Sequence, residues 1–335
     1  MKGLIGKSYQ IKHKKGIEKY LETGKRFILL RRFVEEIKTR HVLKYFKDVD
    51  ILKLTNGKYD CVDLHNRIIY LAKYDVKTHK KIKGEGIGYV VALSTEQNEA
   101  GSSYLDVEDI IFEEFMSRTT YLNDEVNKLM NLYATIDRKR LTTKLWLVGN
   151  SISRVCPYIY EWGLHKLITT QKQGTILVKE IEDVENDDII KVAIEYCKST
   201  GKTSGTIGRN AKMINTGAWE TSPQPHLPKS HKEYKKLYVF AFKYNDFKFL
   251  SEYLTDGIDT FWFIYPYNKD LKDDIIVISN EIRTSKYWQR DIYNISINNN
   301  NLKNLFNTFK ENKIFFCNDM CGTDFKQVID FIIRR

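Results

Sequence analysis

Gly3-Leu4-Ile5-Gly6-Lys7-Ser8 opens the chain, and well downstream the apolar run Val107-Glu108-Asp109-Ile110-Ile111-Phe112 leads straight into Glu113-Glu114. Gly6-Lys7-Ser8 fits the end of a G-x-x-x-x-G-K-[ST] loop. In such a loop backbone N–H groups wrap phosphates, the lysine reaches the β and γ phosphates, and the hydroxyl holds Mg²⁺. The position of the leading glycine is Met1. Alone, this string is equally a chance match on a basic tail, and Glu113-Glu114 in isolation reads more readily as a solvated acidic turn after a strand. Together they describe a site that binds and hydrolyses a nucleoside triphosphate. The first carboxylate would sit in the Mg²⁺ shell and the second would activate water.

The chemistry fits the surrounding pattern. The strands expected around the acidic run are Arg26–Arg31, residues 88–93 and Lys144–Val148. Helices are expected over residues 9–21, 33–46 and 123–136, and this alternation signals an α/β layer fold. Residues 50–75 read as a β-ribbon, with Asn56-Gly57 as the turn between 51–54 and 59–62. Residues 199–232 break the alternation with Ser, Thr, Gly and Pro, and residues 187–197 read as a helix within a connecting segment. A second α/β unit follows, with strands over 237–242, 260–265 and 275–279 and helices over 302–310 and 325–333. The expected division is a P-loop ATPase domain over 1–185, a linker over 186–232 and a second domain over 233–335.

Two strand ends add candidates. Gly149-Asn150 follows Lys144–Val148, and Asn150 suits a γ-phosphate sensor or a plain turn. Arg138-Lys139-Arg140 precedes that strand and suits an arginine finger, a contact to DNA phosphate or a solvated basic loop. Gly201-Lys202-Thr203 is a weak second match, because Tyr196 occupies its leading-glycine position and no strand precedes it.

Composition bounds these readings. The 335 residues are 42% hydrophobic and 29% charged, as in ordinary globular proteins. Lys+Arg number 54 against 43 Asp+Glu, a net charge of +11 that favours polyanionic partners, nucleic acid above all. Lysine-rich codon usage would produce the same excess. No apolar run approaches the roughly 18 residues of a membrane helix, and no signal-peptide h-region is present. Five cysteines, an odd number, suit a reducing cytoplasm. Cys317 and Cys321 form a lone C-x3-C, better read as ordinary thiols than as a zinc site.

The ordered set Gly6-Lys7-Ser8-Tyr9, Phe27-Ile28-Leu29-Leu30-Arg31-Arg32, Ile110-Ile111-Phe112-Glu113-Glu114-Phe115, Asp137-Arg138-Lys139-Arg140, Gly149-Asn150 and Cys156-Pro157-Tyr158 resembles the DNA-packaging ATPases of small short-tailed phages with protein-primed linear genomes. The likeness runs through nearly the whole chain. It implies an ASCE-type P-loop NTPase domain and a C-terminal RNase H-like α/β domain. It also implies a homo-oligomeric ring, a pentamer, docked on the portal of a prohead in the cytoplasm of an infected bacterium. That ring would drive double-stranded DNA inward with ATP and Mg²⁺, and a packaging RNA is a further possible partner.

By the resemblance, Gly3, Gly6, Lys7 and Ser8 form the phosphate loop, and Ser8 and Glu113 attend the metal. Glu114 is the catalytic glutamate, Arg138 a finger acting on the neighbour's nucleotide, Asn150 the coupling residue, and Arg31 a basic residue near the nucleotide. The family's Asp at the metal-associated position is Glu113 here. The P-loop domain lacks its first strand in this sequence, so upstream codons are expected to encode an apolar strand ending in Gly. In the C-terminal unit Asp246, Asp259, Asp319 and Asp324 are scattered, and a nuclease-inactive domain is expected. The alternatives are a terminase large subunit with an active nuclease, or a non-hydrolysing nucleic-acid-binding protein with a decayed P-loop.

Overall fold

The computed structural model describes residues 11–117, 120–183, 188–198, 216, 218–272, 275–279, 281, 288–289, 307, 309 and 313–333. The first unit is built on a six-stranded sheet of order β2-β3-β4-β1-β5-β6. Its strands are β1 (Arg26–Arg31), β2 (Cys61–His65), β3 (Ile68–Asp75), β4 (Lys80–Ala92), β5 (Val107–Glu113) and β6 (Lys144–Val148). The strands β4, β1, β5 and β6 are mutually parallel, whereas β2 and β3 form an antiparallel extension beside β4.

The parallel strands are apolar on both faces, and helices cover both. Ile28, Leu30, Ile110 and Phe112 face α4 (Glu125–Asp137) and α5 (Pro157–Glu161). Phe27, Leu29, Val90 and Ile111 face the other way. They meet Ile17 of α1, which is wound as a π-helix over Lys12–Glu18 and as an α-helix over Lys19–Thr23, and Val42 of α2 (Thr39–Tyr45). This double coverage explains why β1 reads as an unbroken hydrophobic string. A Cβ on Gly88 would lie 2.7 Å from the Phe27 carbonyl oxygen, so only glycine lets β4 approach β1 there.

Three local expectations are corrected. Residues 51–54 form a short helix, α3 (Ile51–Leu54), because the Asp50 side chain caps the Lys53 N–H. Asn56-Gly57 ends that helix, with Gly57 N–H bonded to Leu52 O. The hairpin turn is instead Asn66-Arg67, between β2 and β3. Residues 33–46 are not one helix: a 3-10 turn (Val34–Ile37) and α2 are separated by extended Lys38. Within the helix expected over 187–197, the described residues 188–197 are not helical either. Ile190, Val192 and Ile194 alternate along β8 (Asp188–Tyr196), which pairs antiparallel with β7 (Thr175–Asp183) as a separate ribbon. The β-branched period-2 pattern prevails there over the helical one.

The second unit is a sheet of order β13-β12-β9-β10-β11-β14. An antiparallel meander of β9 (Lys235–Tyr244), β10 (Phe247–Thr255) and β11 (Thr260–Pro266) comes first. Then β12 (Ile276–Ser279) joins parallel to β9, β13 (Trp288–Gln289) parallel to β12, and β14 (Ile314–Phe316) parallel to β11. The terminal helix α7 (Asp319–Ile333) packs Phe325 and Val328 against Phe240, Phe242 and Trp262. A further helix, α6 (His165–Thr170), precedes β7. The helix expected over 302–310 lies almost wholly outside the described residues.

One buried polar assembly holds the first unit's elements together. Arg32, directly after β1, is 5% exposed, and Glu125 at the start of α4 is 2% exposed. Arg32 Nε donates to Glu125 Oε2 at 2.8 Å and Nη2 to Oε1 at 2.9 Å. Tyr158 Oη on α5 and Leu122 N–H also donate to that carboxylate, each at 2.6 Å. Removing Glu125 would leave Arg32 charged and unpaired in a dry site. Glu125→Ala is therefore expected to cost about 3–5 kcal/mol, read as a lower denaturant midpoint with unchanged m-value. Glu35→Ala, on the exposed 3-10 turn, is expected to stay within about 0.5 kcal/mol of the parent. Equal stability of the two variants would contradict this role.

Candidate functional site

The parallel strands β1, β5 and β6 end at one edge of the sheet, and their exits carry chemistry. Leu30 of β1 lies beside Phe112 of β5, and Glu113 beside Val148 of β6. Arg31, Glu113, Glu114 and Gly149-Asn150 therefore cluster at the carboxyl ends of adjacent strands, where open α/β sheets place their ligands.

Each side chain has an identifiable anchor. Glu113 is 7% exposed and faces the α2 side of the sheet, where Tyr45 Oη donates to its Oε1 at 3.2 Å. Glu114 has φ +57°, the left-handed region that costs an ordinary residue about 1–2 kcal/mol. Arg32 holds it there, donating from Nη1 to Glu114 O at 3.2 Å and from Nη2 to Phe115 O at 2.6 Å. The turn swings Glu114 outward, and Arg31 Nη2 donates to its Oε2 at 3.0 Å and to Glu36 Oε1 at 2.9 Å. Burial works against the Arg31 charge, but Glu114 and Glu36 more than offset it and raise its pKa. Gly149 allows β6 to leave beside Phe115, whose ring would lie 3.1 Å from a Cβ at that position. Asn150 is exposed beyond it.

The helix after the glycine loop is aimed at this edge. Lys19 of α1 pairs with buried Asp109 near the start of β5, at 2.5 Å, and with Glu108 at 3.0 Å. Trp146 Nε1 donates to the same Asp109 at 2.6 Å. One turn earlier, Lys15 lies over the Trp146 ring, 5.1 Å from its centroid, and Trp146 is level with Ile111. Following α1 backward from Lys19 to Lys15 thus moves along β5 from Asp109 to the level of Ile111, so α1 runs antiparallel to β5 with its leading end toward Glu113.

Gly3, Gly6, Lys7 and Ser8 lie outside the described residues, as does Gly201-Lys202-Thr203. Arg138 stands at the opposite end of the sheet. It caps α4 at φ +49°, and its Nη2 donates to the carbonyl of Ser102, ahead of β5, at 2.7 Å. Among the described residues it meets neither Glu113 nor Glu114, which lie at the other end of β5. Its neighbour Arg140 is a structural brace, donating to the carbonyls of Tyr104, Leu105, Val107, Ile136 and Asp137.

Sequence reasoning did not single out Arg32, Glu36, Tyr45 or Glu125. In sequence they belong to ordinary charged stretches such as Arg31-Arg32, Glu35-Glu36 and Asp124-Glu125, and only the long-range fold brings them together. In the second unit Asp324 pairs with Arg154, Asp319 with His226, and Asp259 with Lys313. Asp246 is exposed near His165. No group of metal-ligating side chains occurs among the described residues, and none of their helices is long and apolar enough to cross a membrane.

Similar proteins bear on this geometry. The DNA packaging protein of Bacillus phage B103 is 30% identical over 196 residues, covering 55% of this chain and 54% of that protein. The DNA packaging protein of Bacillus phage phi29 is 29% identical over 163 residues, covering 48% and 44%. The chain thus spans about half the length of these relatives. Among solved structures, the bacteriophage phi29 viral genome packaging motor assembly contains a chain of the same fold. It is 21% identical, with 98% of this chain and 92% of that chain covered and a TM-score of 0.54. Residues 2–331 match the podovirus DNA encapsidation protein (Gp16) family, and the chain is a member of it.

Proposed function

We propose that this protein is an ATP-driven motor that packages double-stranded DNA into a phage prohead. The observation that carries the reading is the convergence, at one edge of a parallel sheet, of Glu113, Glu114, Asn150 and the leading end of α1. Gly6-Lys7-Ser8 stands just ahead of that helix in sequence. Lys7 and Ser8 would hold the β and γ phosphates and Mg²⁺, with Gly3 and Gly6 leaving room for the loop backbone.

Glu113, buried and held by Tyr45, suits an outer position on the metal shell. Its extra methylene relative to Asp favours contact through water. Glu114, on its outward turn, suits the base that orients water, and Arg31 holds its carboxylate in place through the 3.0 Å contact. Asn150 would sense the γ-phosphate from β6. Membership in the DNA encapsidation family supports DNA as the cargo, and the net charge of +11 suits its phosphate backbone.

Arg138 lies on the sheet end remote from its own Glu114, a placement that supports action on a neighbouring subunit in a ring, a pentamer in our reading. A heterologous, head-to-tail interface would present one subunit's sheet base to the next subunit's acidic edge. The portal and prohead would be the docking partners, with a packaging RNA as a further one, in the cytoplasm of the infected host. The units over 1–185 and 233–335 would be the P-loop ATPase and an RNase H-like domain. A three-stranded meander followed by strands joining parallel to its first strand supports the second assignment. Engagement of Asp259, Asp319 and Asp324 by basic partners supports a domain that does not cut DNA.

DNA-stimulated ATP hydrolysis tests the chemistry. Glu114→Gln is expected to lower kcat by roughly 10²–10⁴-fold with KM little changed. Undiminished turnover would remove Glu114 from the mechanism. Mixing tests the geometry of Arg138. Arg138→Ala alone is expected to lose on the order of 10³-fold. Mixed with Glu114→Gln protein, it is expected to regain turnover, because some interfaces then join an intact Glu114 to an intact Arg138. No recovery on mixing would contradict action across the interface.

A further inference from the structure

Both segments that leave the acidic edge run into the second unit, and they meet the same helix there. After β5, the carbonyl of Ser117 accepts from Gln327 Nε2 of α7 at 3.4 Å. Tyr121 stacks on Phe331 of α7, with ring centroids 5.7 Å apart. After β6, the carbonyl of Ser151 accepts from Glu220 N–H at 2.7 Å. The strap that Glu220 begins is fixed to α7, with Ser222 N–H on Thr323 Oγ1 at 3.1 Å and Gln224 N–H on Asp319 Oδ1 at 2.9 Å. Arg154 then reaches Asp324 of α7, Nη2 to Oδ2 at 2.5 Å. The next residue, Val155, is fully buried in the second unit's core.

The Arg154–Asp324 pair is incomplete. Asp324 is 3% exposed, yet its Oδ1 and the Arg154 Nε are buried without a hydrogen-bond partner. A buried pair joined through one oxygen and one nitrogen leaves desolvated polar atoms unmatched, whereas the two-point arrangement would satisfy both. The unmatched Arg154 Nε and Asp324 Oδ1 leave room for a second, two-point pairing of the same side chains, and a contact that can switch between two pairings is the kind of element that couples distant sites.

We propose that α7 reads the state of the acidic edge. The Arg154–Asp324 contact changes between one-point and two-point pairing as the β6 exit shifts, and the Ser117–Gln327 contact follows the β5 exit. Arg154 and Asp324 are positioning residues for Glu114 and Asn150, and the posture of the C-terminal unit is linked to what occupies the edge. The occupant being Mg·ATP rests on the function proposed above, whereas the mechanical link does not.

Hydrogen exchange on the full chain separates the two. In nucleotide-free protein, Asp324→Asn is expected to speed exchange of the amides over 114–117 by about tenfold, leaving β1 and β10 unchanged. A purely structural pair would loosen only α7 and the immediate surroundings of Arg154. In the parent, Mg·ATP is expected to slow exchange along α7, and in Asp324→Asn that response is lost while nucleotide still binds. Unchanged exchange over 114–117 in the variant, or an α7 response that survives it, overturns the link. A parent that binds no nucleotide overturns the ATP reading, and the first comparison still decides the link. Should Asp324→Asn unfold the second unit, Gln327→Ala takes its place, with the same readout over 114–117.

Discussion

The buried Arg32–Glu125 pair is the constraint on which the first unit depends. It joins the end of β1 to the start of α4, and Tyr158 brings α5 into the same assembly. A buried ion pair is stabilising only when its remaining hydrogen-bonding capacity is used. Here the guanidinium also takes the carbonyls of Glu114 and Phe115, and the carboxylate takes the Leu122 N–H. The rings of Phe112 and Tyr121 lie within 5.5 Å and 5.0 Å of the Arg32 guanidinium and complete its enclosure. The left-handed turn at Glu114 follows from these bonds. A residue that would otherwise continue β5 into solvent is turned back and presented beside Arg31.

That turn divides adjacent carboxylates into different environments. Glu113 lies on the inner face under Tyr45, whereas Glu114 stands out at the strand end with a 68% exposed side chain. Environment of this kind assigns distinct roles to neighbouring acids. The opposite end of the sheet is braced separately. Arg140 gathers the carbonyls that precede β5, and Asp137 accepts from the N–H groups of Leu141, Thr142 and Thr143. The turn carrying Arg138 is thereby fixed by hydrogen bonds to Asp137 at that end of the sheet.

The elements legible in the sequence were those whose signal is local. β1 and β6 have the bounds that their apolar runs suggested, and β5 extends its run by one residue to Glu113. The carboxylate pair at its end was readable because its residues are consecutive. Short elements set by a single cap, such as α3 behind Asp50, were misread as strand because the cap outweighs the β-leaning composition. β8 was misread as helix because Asp188-Ile189-Ile190-Lys191 suits either period, and only pairing with β7 decides it. β10 was overlooked because Phe247–Thr255 mixes polar residues into a strand buried on both faces, where Ser251 and Glu252 lie inside. The polar assembly around Arg32 has no sequence signature, since its members are scattered along the chain.

The proposed function requires the edge formed by β5 and β6 to hold the metal–nucleotide complex. Paramagnetic broadening of methyl resonances by Mn²⁺ supplied with ATP tests this directly. Ile11, Val148 and Ile152 are expected to broaden only when ATP is present, while Ile258, on the turn between β10 and β11, stays sharp. ATP-dependent broadening centred elsewhere, or none at Val148 and Ile152, would contradict the assignment of the site.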